Sequence, residues 1–275
     1  MSFTLVALIY VFAILVGVGV YNCLDYGWWL SLLIADVMAT VITFVFSVLL
    51  GNASVYDPYW SVQPPVILLL LAMGRDITLL GLLLIAVVSI WGVRLTVNWA
   101  YTFHGLGHQD WRYTMLKEKT GHFYPIINLV GIHMVPTLIV WGCTIPAAYV
   151  IMNDVEHSAL SFVFIGVSLL ATLMQGIADV QMHRYRKNRR TSFIRDGLWK
   201  YSRHPNYLGE ILMWWGVALA VVSALPNKWY LISGAVVNTV LFLAVSIPMA
   251  DARQSRKDGF AEYKQATRML LPIKK

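Results

Sequence analysis

The chain has 275 residues, of which 58% are hydrophobic and only 13% charged, and its formal net charge is +7. This composition excludes an ordinary water-soluble domain and identifies an integral membrane protein. Its two cysteines, Cys23 and Cys143, lie far apart in or beside apolar runs, which excludes a disulfide framework or a metal spacing and makes both packing residues.

In chain order, apolar runs fall at 3–21, 28–50, 77–99, 123–151, 159–182, 207–224 and 229–249. Each is near the ~20 residues that cross a hydrocarbon core, so the expected fold is all-α: a polytopic membrane bundle of about seven transmembrane helices. The first run lacks a basic leader and a small-residue cleavage pattern and reads as a retained helix. The stretch Val62 to Met73, opened by Pro64-Pro65, is too short for an ordinary span and reads as a re-entrant or tilted eighth element. Pro136 and Pro146 are expected to kink or divide the 123–151 run, because proline removes a helix hydrogen bond and clashes with the preceding turn. No internal repeat or low-complexity linker divides the chain, which reads as a single domain, 1–275.

Of the 21 Lys and Arg residues, three lie in 101–122, eight in 183–204 and seven in 250–275. Paired helices between these segments bring all three to one face, which the positive-inside rule makes cytoplasmic, in a bacterial inner membrane or the endoplasmic reticulum. Topology alone accounts for such a bias, so the charge argues neither for nucleic acid nor for any other anion by itself.

Ionisable and amide side chains at membrane depth are costly and tend to line cavities or sites. Asp36, Arg94, Asn98, His133, Gln175, Asp179 and Glu210 are such residues; Asp36 and His133, taken singly, read as satisfied interior groups. Gln175 and Asp179 share a helix face that His183 and Arg186 extend into the basic loop. The same stripe also suits plain interhelical hydrogen bonding. The loop from His183 through Arg190 to Arg203-His204, interleaved with Tyr185, Trp199, Tyr201 and Tyr207, fits either a phosphorylated nucleotide or anionic lipid head groups. Pro205 is placed to start a helix at its first position, which would present the N–H groups of Asn206 to Leu208 to an anion beside Arg203; Glu210, on the face of Asn206, could fix Arg203 or a ribose hydroxyl.

The stretch GLWKYSRHPNYLGE at 197–210, with EYKQATRMLLP at 262–272, YDPYWSV at 56–62, WGVRLTVNW at 91–99, QDWRY at 109–113 and GIADVQMHRYRKN at 176–188, resembles the steroid 5-alpha-reductase family. The closest likeness is to its uncharacterised bacterial membrane members. The resemblance implies an NADPH-dependent membrane oxidoreductase that reduces a carbon–carbon double bond conjugated to a carbonyl in a lipid or steroid-like enone. It implies cofactor contacts at Arg94, Gln175, Asp179, Arg186 and Asn206, with Arg112 and Tyr113 over the nucleotide. Tyr201, Arg203, His204, Tyr207 and Glu210 of the Arg-His-Pro motif join this group. It implies a substrate side in 1–122 and a cofactor side in 123–275; on the substrate side Trp60 and Gln63 match a Trp-x-x-Gln pattern near the substrate carbonyl, and Trp91, at the position of an expected tyrosine, joins Trp60 as a substrate contact. The acidic residue expected after Gln63 is Pro64, and the tyrosine expected three residues before Arg94 is Trp91, which leaves Tyr59 and Asp57 as candidate acids. Tyr59 reads equally as an interfacial aromatic and Asp57 as a helix cap.

No dinucleotide fingerprint follows a strand, so a Rossmann domain is excluded and the bundle itself must hold any nucleotide. The expected partners are a hydrophobic small molecule or lipid and the surrounding membrane, with no nucleic acid, no metal and no obligate protein partner. Because membrane methyltransferases such as isoprenylcysteine carboxyl methyltransferase share the Arg-His-Pro entry, an S-adenosylmethionine-dependent methyl transfer is the enzymatic alternative. A lipid-binding or transport bundle is the non-enzymatic one.

Overall fold

A computed structural model describes residues 2–188 and 191–272. Among these residues there is no strand, only an isolated bridge between Ser202 and Arg268. The helices are α1 (Ser2–Cys23), α2 (Trp28–Leu49), α3 (Tyr59–Ala72), α4 (Leu79–Thr102), α5 (Trp111–Thr120), α6 (Tyr124–Ile127) and α7 (Val135–Asn153). They are followed by α8 (Ala159–Asn188), α9 (Pro205–Ala224), α10 (Ser233–Leu241), α11 (Ile247–Gln254) and α12 (Phe260–Ala266). Among the described residues seven helical stretches are long and apolar enough to cross a membrane, and each coincides with one of the seven apolar runs.

The short stretch is helical throughout: α3 has 14 residues, ~21 Å at 1.5 Å per residue, against a hydrocarbon core of ~30 Å. Two prolines inside it do not interrupt it. Pro65 has no N–H to give the Ser61 carbonyl one turn back. Against that carbonyl α4 places Gly92, where an added Cβ would meet Ser61 O at 2.5 Å and Pro65 Cγ at 2.7 Å. The expected division of the long run is different in form. A π-helical segment, Asn128–Met134, precedes α7, so Pro136 sits in the first turn after it, whereas Pro146 lies within an unbroken α7. The widened turn absorbs the lost hydrogen bond at the first proline.

Close packing follows small residues, as expected where lipid offers no hydrophobic contrast. Gly216 and Gly209 of α9 lie against the backbone of α8, with hypothetical Cβ atoms 2.7 Å from Phe164 O and 2.8 Å from Ala171 O. Ser168 on α8 donates to Met213 O at 2.9 Å, and Ser161 to Ala220 O at 2.8 Å. Gly234 of α10 faces Gly142 of α7 so closely that a Cβ there would stand 2.3 Å from the Gly142 carbonyl. The larger core lies among α3, α4, α7, α8 and α9 around Trp91, Trp214, Leu84 and Met213; a second, richer in tyrosine, joins α1 and α2 to residues 53–59. Cys143 packs in the first core, but Cys23 is exposed at the end of α1, contrary to the packing role expected of it.

The basic segments gather at one end of the bundle. Arg253 of α11 covers the Trp111 ring of α5 at 4.1 Å, His183 of α8 meets Asn98 of α4 at 2.8 Å, and Arg203 reaches Asp251 of α11 at 3.1 Å. The chain after α12 closes this end, with Arg203 N–H donating to Arg268 O at 3.0 Å and Tyr263 donating to Trp199 O. Arg189 and Arg190 of the basic loop lie outside the described residues.

Candidate functional site: two cavities and a polar network

At the basic end a cavity of about 270 Å³ is lined by Asp179, His183 and Arg186 of α8, Asn206 and Tyr207 of α9, and Asp251, Arg253 and Gln254 of α11. Asn98, Trp111, Trp199, Arg203 and His204 complete much of its rim. Helix α9 begins at Pro205, as its sequence requires. Leu208 N–H is already bonded to His204 O at 3.0 Å, so only Asn206 and Tyr207 keep first-turn N–H groups available, one fewer than expected. The Asn206 Oδ1 is buried without a protein partner.

Arg203 and His204 border this cavity but are held by the protein. The Arg203 guanidinium donates to Thr267 O at 2.7 Å and to Asp251 at 3.1 Å, while His204 Nε2 lies 2.9 Å from the same Asp251. Both side chains are buried, and each ties the Arg-His-Pro entry to the C-terminal segment. Tyr207 stacks on His204 with centroids 5.2 Å apart and planes within 3°. Tyr201 does not line the cavity: it is exposed, with Lys200 Nζ 5.8 Å above its ring.

Beneath this cavity a buried network continues the polar stripe. Asp179 accepts from Arg94 at 2.6 Å, and Arg94 lies 3.9 Å from Glu210. Glu210 in turn accepts from Trp91 Nε1 at 2.9 Å, Trp214 Nε1 at 3.0 Å and Gln175 Nε2 at 3.2 Å. Glu210 therefore does not fix Arg203, as its position on the α9 face had suggested; the indoles reach it first. Gln175 and Glu210 lie below the cavity floor rather than on its surface. Trp91 is fully buried and packs on Trp60 at 6.0 Å.

The second cavity, about 330 Å³, lies among α1, α2 and α3. Its lining is largely apolar, with Ile14, Val18, Leu32, Ile67 and Leu70; the polar residues are Asp36, Tyr59 and Gln63 at one corner and Tyr21 and Asn22 at the end of α1, with Tyr10 beside Tyr59. Tyr59 donates to Asp36 Oδ1 at 3.3 Å and Gln63 Nε2 donates to its Oδ2. Trp60 and Trp91 do not line this cavity; their rings face the network between the two. Asp57 is also elsewhere, accepting from Tyr113 and lying 4.0 Å from Arg112. It does not cap α3, whose N-cap is Pro58 with no side-chain bond. Burial lifts the Asp57 carboxyl to about 6 despite Arg112 and Tyr113, which pull it down. Arg112, paired with Asp110 at 2.7 Å, stands outside both cavities; it outweighs the burial of Asp110 and holds that carboxyl below its ordinary range.

Asp36 and Asp251 thus emerge as the two carboxyl groups that organise the corners, and neither was assigned from sequence. Asp36 belonged to the recognisable set of charged residues at membrane depth. Asp251 sits in a basic segment, where an acid two residues before Arg253 gave no sign of binding Arg203 and His204.

A family model described as a protein of unknown function (DUF1295) matches residues 43–267. The chain belongs to this family. The DUF1295 match runs from the end of α2 through α12, so it takes in the polar corner's Tyr59 and Gln63 and all of the basic end's described lining. An uncharacterised protein of the fission yeast Schizosaccharomyces pombe is 25% identical over 231 residues, covering 72% of this chain. The match spans 66% of that relative's length. No solved structure matches the chain.

Proposed function

We propose that this DUF1295 protein is a membrane-embedded, NADPH-dependent reductase acting on the conjugated double bond of a lipid or steroid-like enone. The motif resemblance to steroid 5-alpha-reductases suggests the chemistry. The observation that carries the reading is the basic-end cavity, where Arg186, Asp179, Asn206 with its unpartnered amide oxygen, and the Trp111 and Tyr207 rings converge.

These residues fit a dinucleotide. Guanidinium groups suit phosphate oxygens, the first turn of α9 favours an anion, the Asn206 amide can both give and accept, and Asp179 can accept from ribose or carboxamide groups. At about 270 Å³ the cavity takes part of such a molecule, and the remainder would lie across the open basic end. When bound, the reduced nicotinamide supplies a hydride. Arg94, clamped by Asp179 and close to Glu210, holds the floor of the nucleotide cavity rigid. That floor packs through Trp91 against Trp60 of α3, which carries Tyr59 and Gln63; a hydride passes only by direct contact, so the lipid's double bond would have to reach the nucleotide cavity past these rings. The apolar cavity excludes water and orients a lipid with its oxygen at the polar corner, where Tyr59 is the group that can donate to a developing enolate oxygen. With the basic end assigned to the cytoplasm, the nucleotide would enter from the cytosol.

Methyl transfer is the second reading. A cavity of about 270 Å³ is closer to the size of one adenosyl group than of a whole dinucleotide. Thermal unfolding of the detergent-purified protein with NADPH, NADH or S-adenosylmethionine separates the two, since a ligand that binds only the folded state stabilises it. NADPH should raise Tm most. Protection by S-adenosylmethionine alone would reverse the assignment, and protection by neither would leave only the lipid cavity.

A further inference from the structure

The corner of the apolar cavity is built unusually for a membrane interior. Asp36, Tyr59 and Gln63 are each more than nine-tenths buried, come from two helices, and share their hydrogen bonds with one another. Around them stand Tyr10 of α1, Tyr56 and Asp57 ahead of α3, and His133 of the π-helical segment. Tyr10 is engaged by Val55 O at 2.6 Å, Tyr56 by Thr137 at 2.8 Å, Asp57 by Tyr113, and His133 by Asn128 O at 2.9 Å. Asp36 is among the cavity-lining residues, and none of the ion pairs of the described residues includes it. Two polar atoms of these groups remain unspent, both buried and without a protein partner: Gln63 Oε1, on a residue that lines the cavity, and His133 Nε2, on one that does not.

We propose that this corner is the head-group site of the lipid cavity, and that Asp36 restricts it to lipids ending in a single uncharged oxygen function, a hydroxyl or a carbonyl. A hydroxyl can donate to Gln63 Oε1. A carbonyl can take the Tyr59 hydrogen when the phenol turns from Asp36. A carboxylate or phosphate head would set a second acid against Asp36 in an apolar enclosure that no Lys, Arg or His lines, where an unpaired charge is costly and the two acids cannot ionise together cheaply. The remaining lining fits the tail: from Tyr59 the cavity follows α3 past Val66 and Leu70 to Met73 and ends near Tyr21 and Asn22 of α1. Asp36 is thus a positioning and selectivity residue. It holds the Tyr59 hydroxyl and the Gln63 amide, and it faces the ligand head.

The inference names the substrate class of the reductase reading but is tested without nicotinamide, so the two fail separately. Dissociation constants are measured in nanodiscs of uncharged lipid for hexadec-3-en-2-one, hexadecan-1-ol and hexadecanoate, which differ only in the head region. The wild type should bind the enone and the alcohol at least about tenfold more tightly than hexadecanoate, about 1.4 kcal/mol. Asp36→Asn, which keeps the size and the acceptor oxygen, should narrow that ratio about tenfold, chiefly by tightening hexadecanoate. Gln63→Leu and Tyr59→Phe should each weaken the neutral probes severalfold, a readout that remains if Asp36 variants fail to fold. Equal binding of hexadecanoate and alcohol by the wild type, or an unchanged ratio in Asp36→Asn, overturns the proposal. So does binding of none of the probes.

Discussion

Replacing Arg94 by methionine tests whether the buried network is a unit. The Arg94 and Asp179 side chains are only 16% and 15% exposed, and their 2.6 Å contact lies beside Glu210, 3.9 Å from the same guanidinium. Arg94→Met keeps the aliphatic stem and removes the cation, leaving two carboxyl groups in a largely dry setting. Breaking a buried pair from one side costs about 3–5 kcal/mol; partial exposure of both partners puts the expected loss near the lower end, about 3 kcal/mol. For a chain of this size that corresponds to a fall in Tm on the order of 6–12 °C. Asp179→Asn removes one of the stranded charges, so the Arg94→Met/Asp179→Asn double variant should recover part of the loss, with a coupling of about 1–3 kcal/mol. Thermal unfolding of the four proteins in one detergent gives the cycle. Additive effects, each under about 1 kcal/mol, would refute the network as a structural unit and make Arg94 a residue held by packing alone.

Arg186→Ala should weaken NADPH binding much more than NADH binding, because on the proposed reading the additional phosphate of NADPH would gain charge-assisted bonds to this basic end; equal small losses in a binding titration remove that assignment. Asn206→Ala should weaken NADPH severalfold with Tm in its absence nearly unchanged, whereas a large fall in apo Tm would make Asn206 a structural residue. Gly216→Leu should cost several kcal/mol by forcing α9 off α8, where a Cβ already meets Ser168 Oγ at 2.2 Å; a Tm within about 2 °C of wild type contradicts the packing described. The Asp57 carboxyl titrates near 6 when folded and at 3.8 ordinarily, so its stabilising effect is complete below pH 3.8 and is lost as pH rises through 6. Asp57→Asn should flatten the Tm profile between pH 4 and 7 relative to wild type, and parallel profiles would show that Asp57 does not titrate there.

The seven spans were legible because twenty apolar residues in succession carry a signal that no tertiary contact can override in a bilayer. The start of α9 at Pro205 was legible for a local reason too. The π-helical turns at Asn128–Met134 and Phe242–Ser246 were not, since a widened turn has the same composition as an ordinary one. Site residues on one helix face, such as Asp179, His183 and Arg186, were found together because spacing places them together. The alliance of Asp36 with Tyr59 and Gln63 was invisible: it joins positions 23 and 27 residues apart across two helices. For the same reason Arg203 and Trp91 were read by the company of their motifs, while the partners they take, Asp251 and Glu210, lie 48 and 119 residues away.

The seating of Gly92 on the Ser61 carbonyl has a reach beyond its own turn. That carbonyl is bare because the residue one turn later is an imino acid, and a helix can lean on it only where it carries nothing but hydrogen. The neighbour in sequence, Trp91, is thereby aimed at Glu210, so an indole in the heart of the bundle takes its bearing from a missing amide proton in a helix too short to cross the bilayer. Enlarging position 92 should therefore be felt not at α3 alone but at the floor of the distant basic chamber, as one lever moving both rooms.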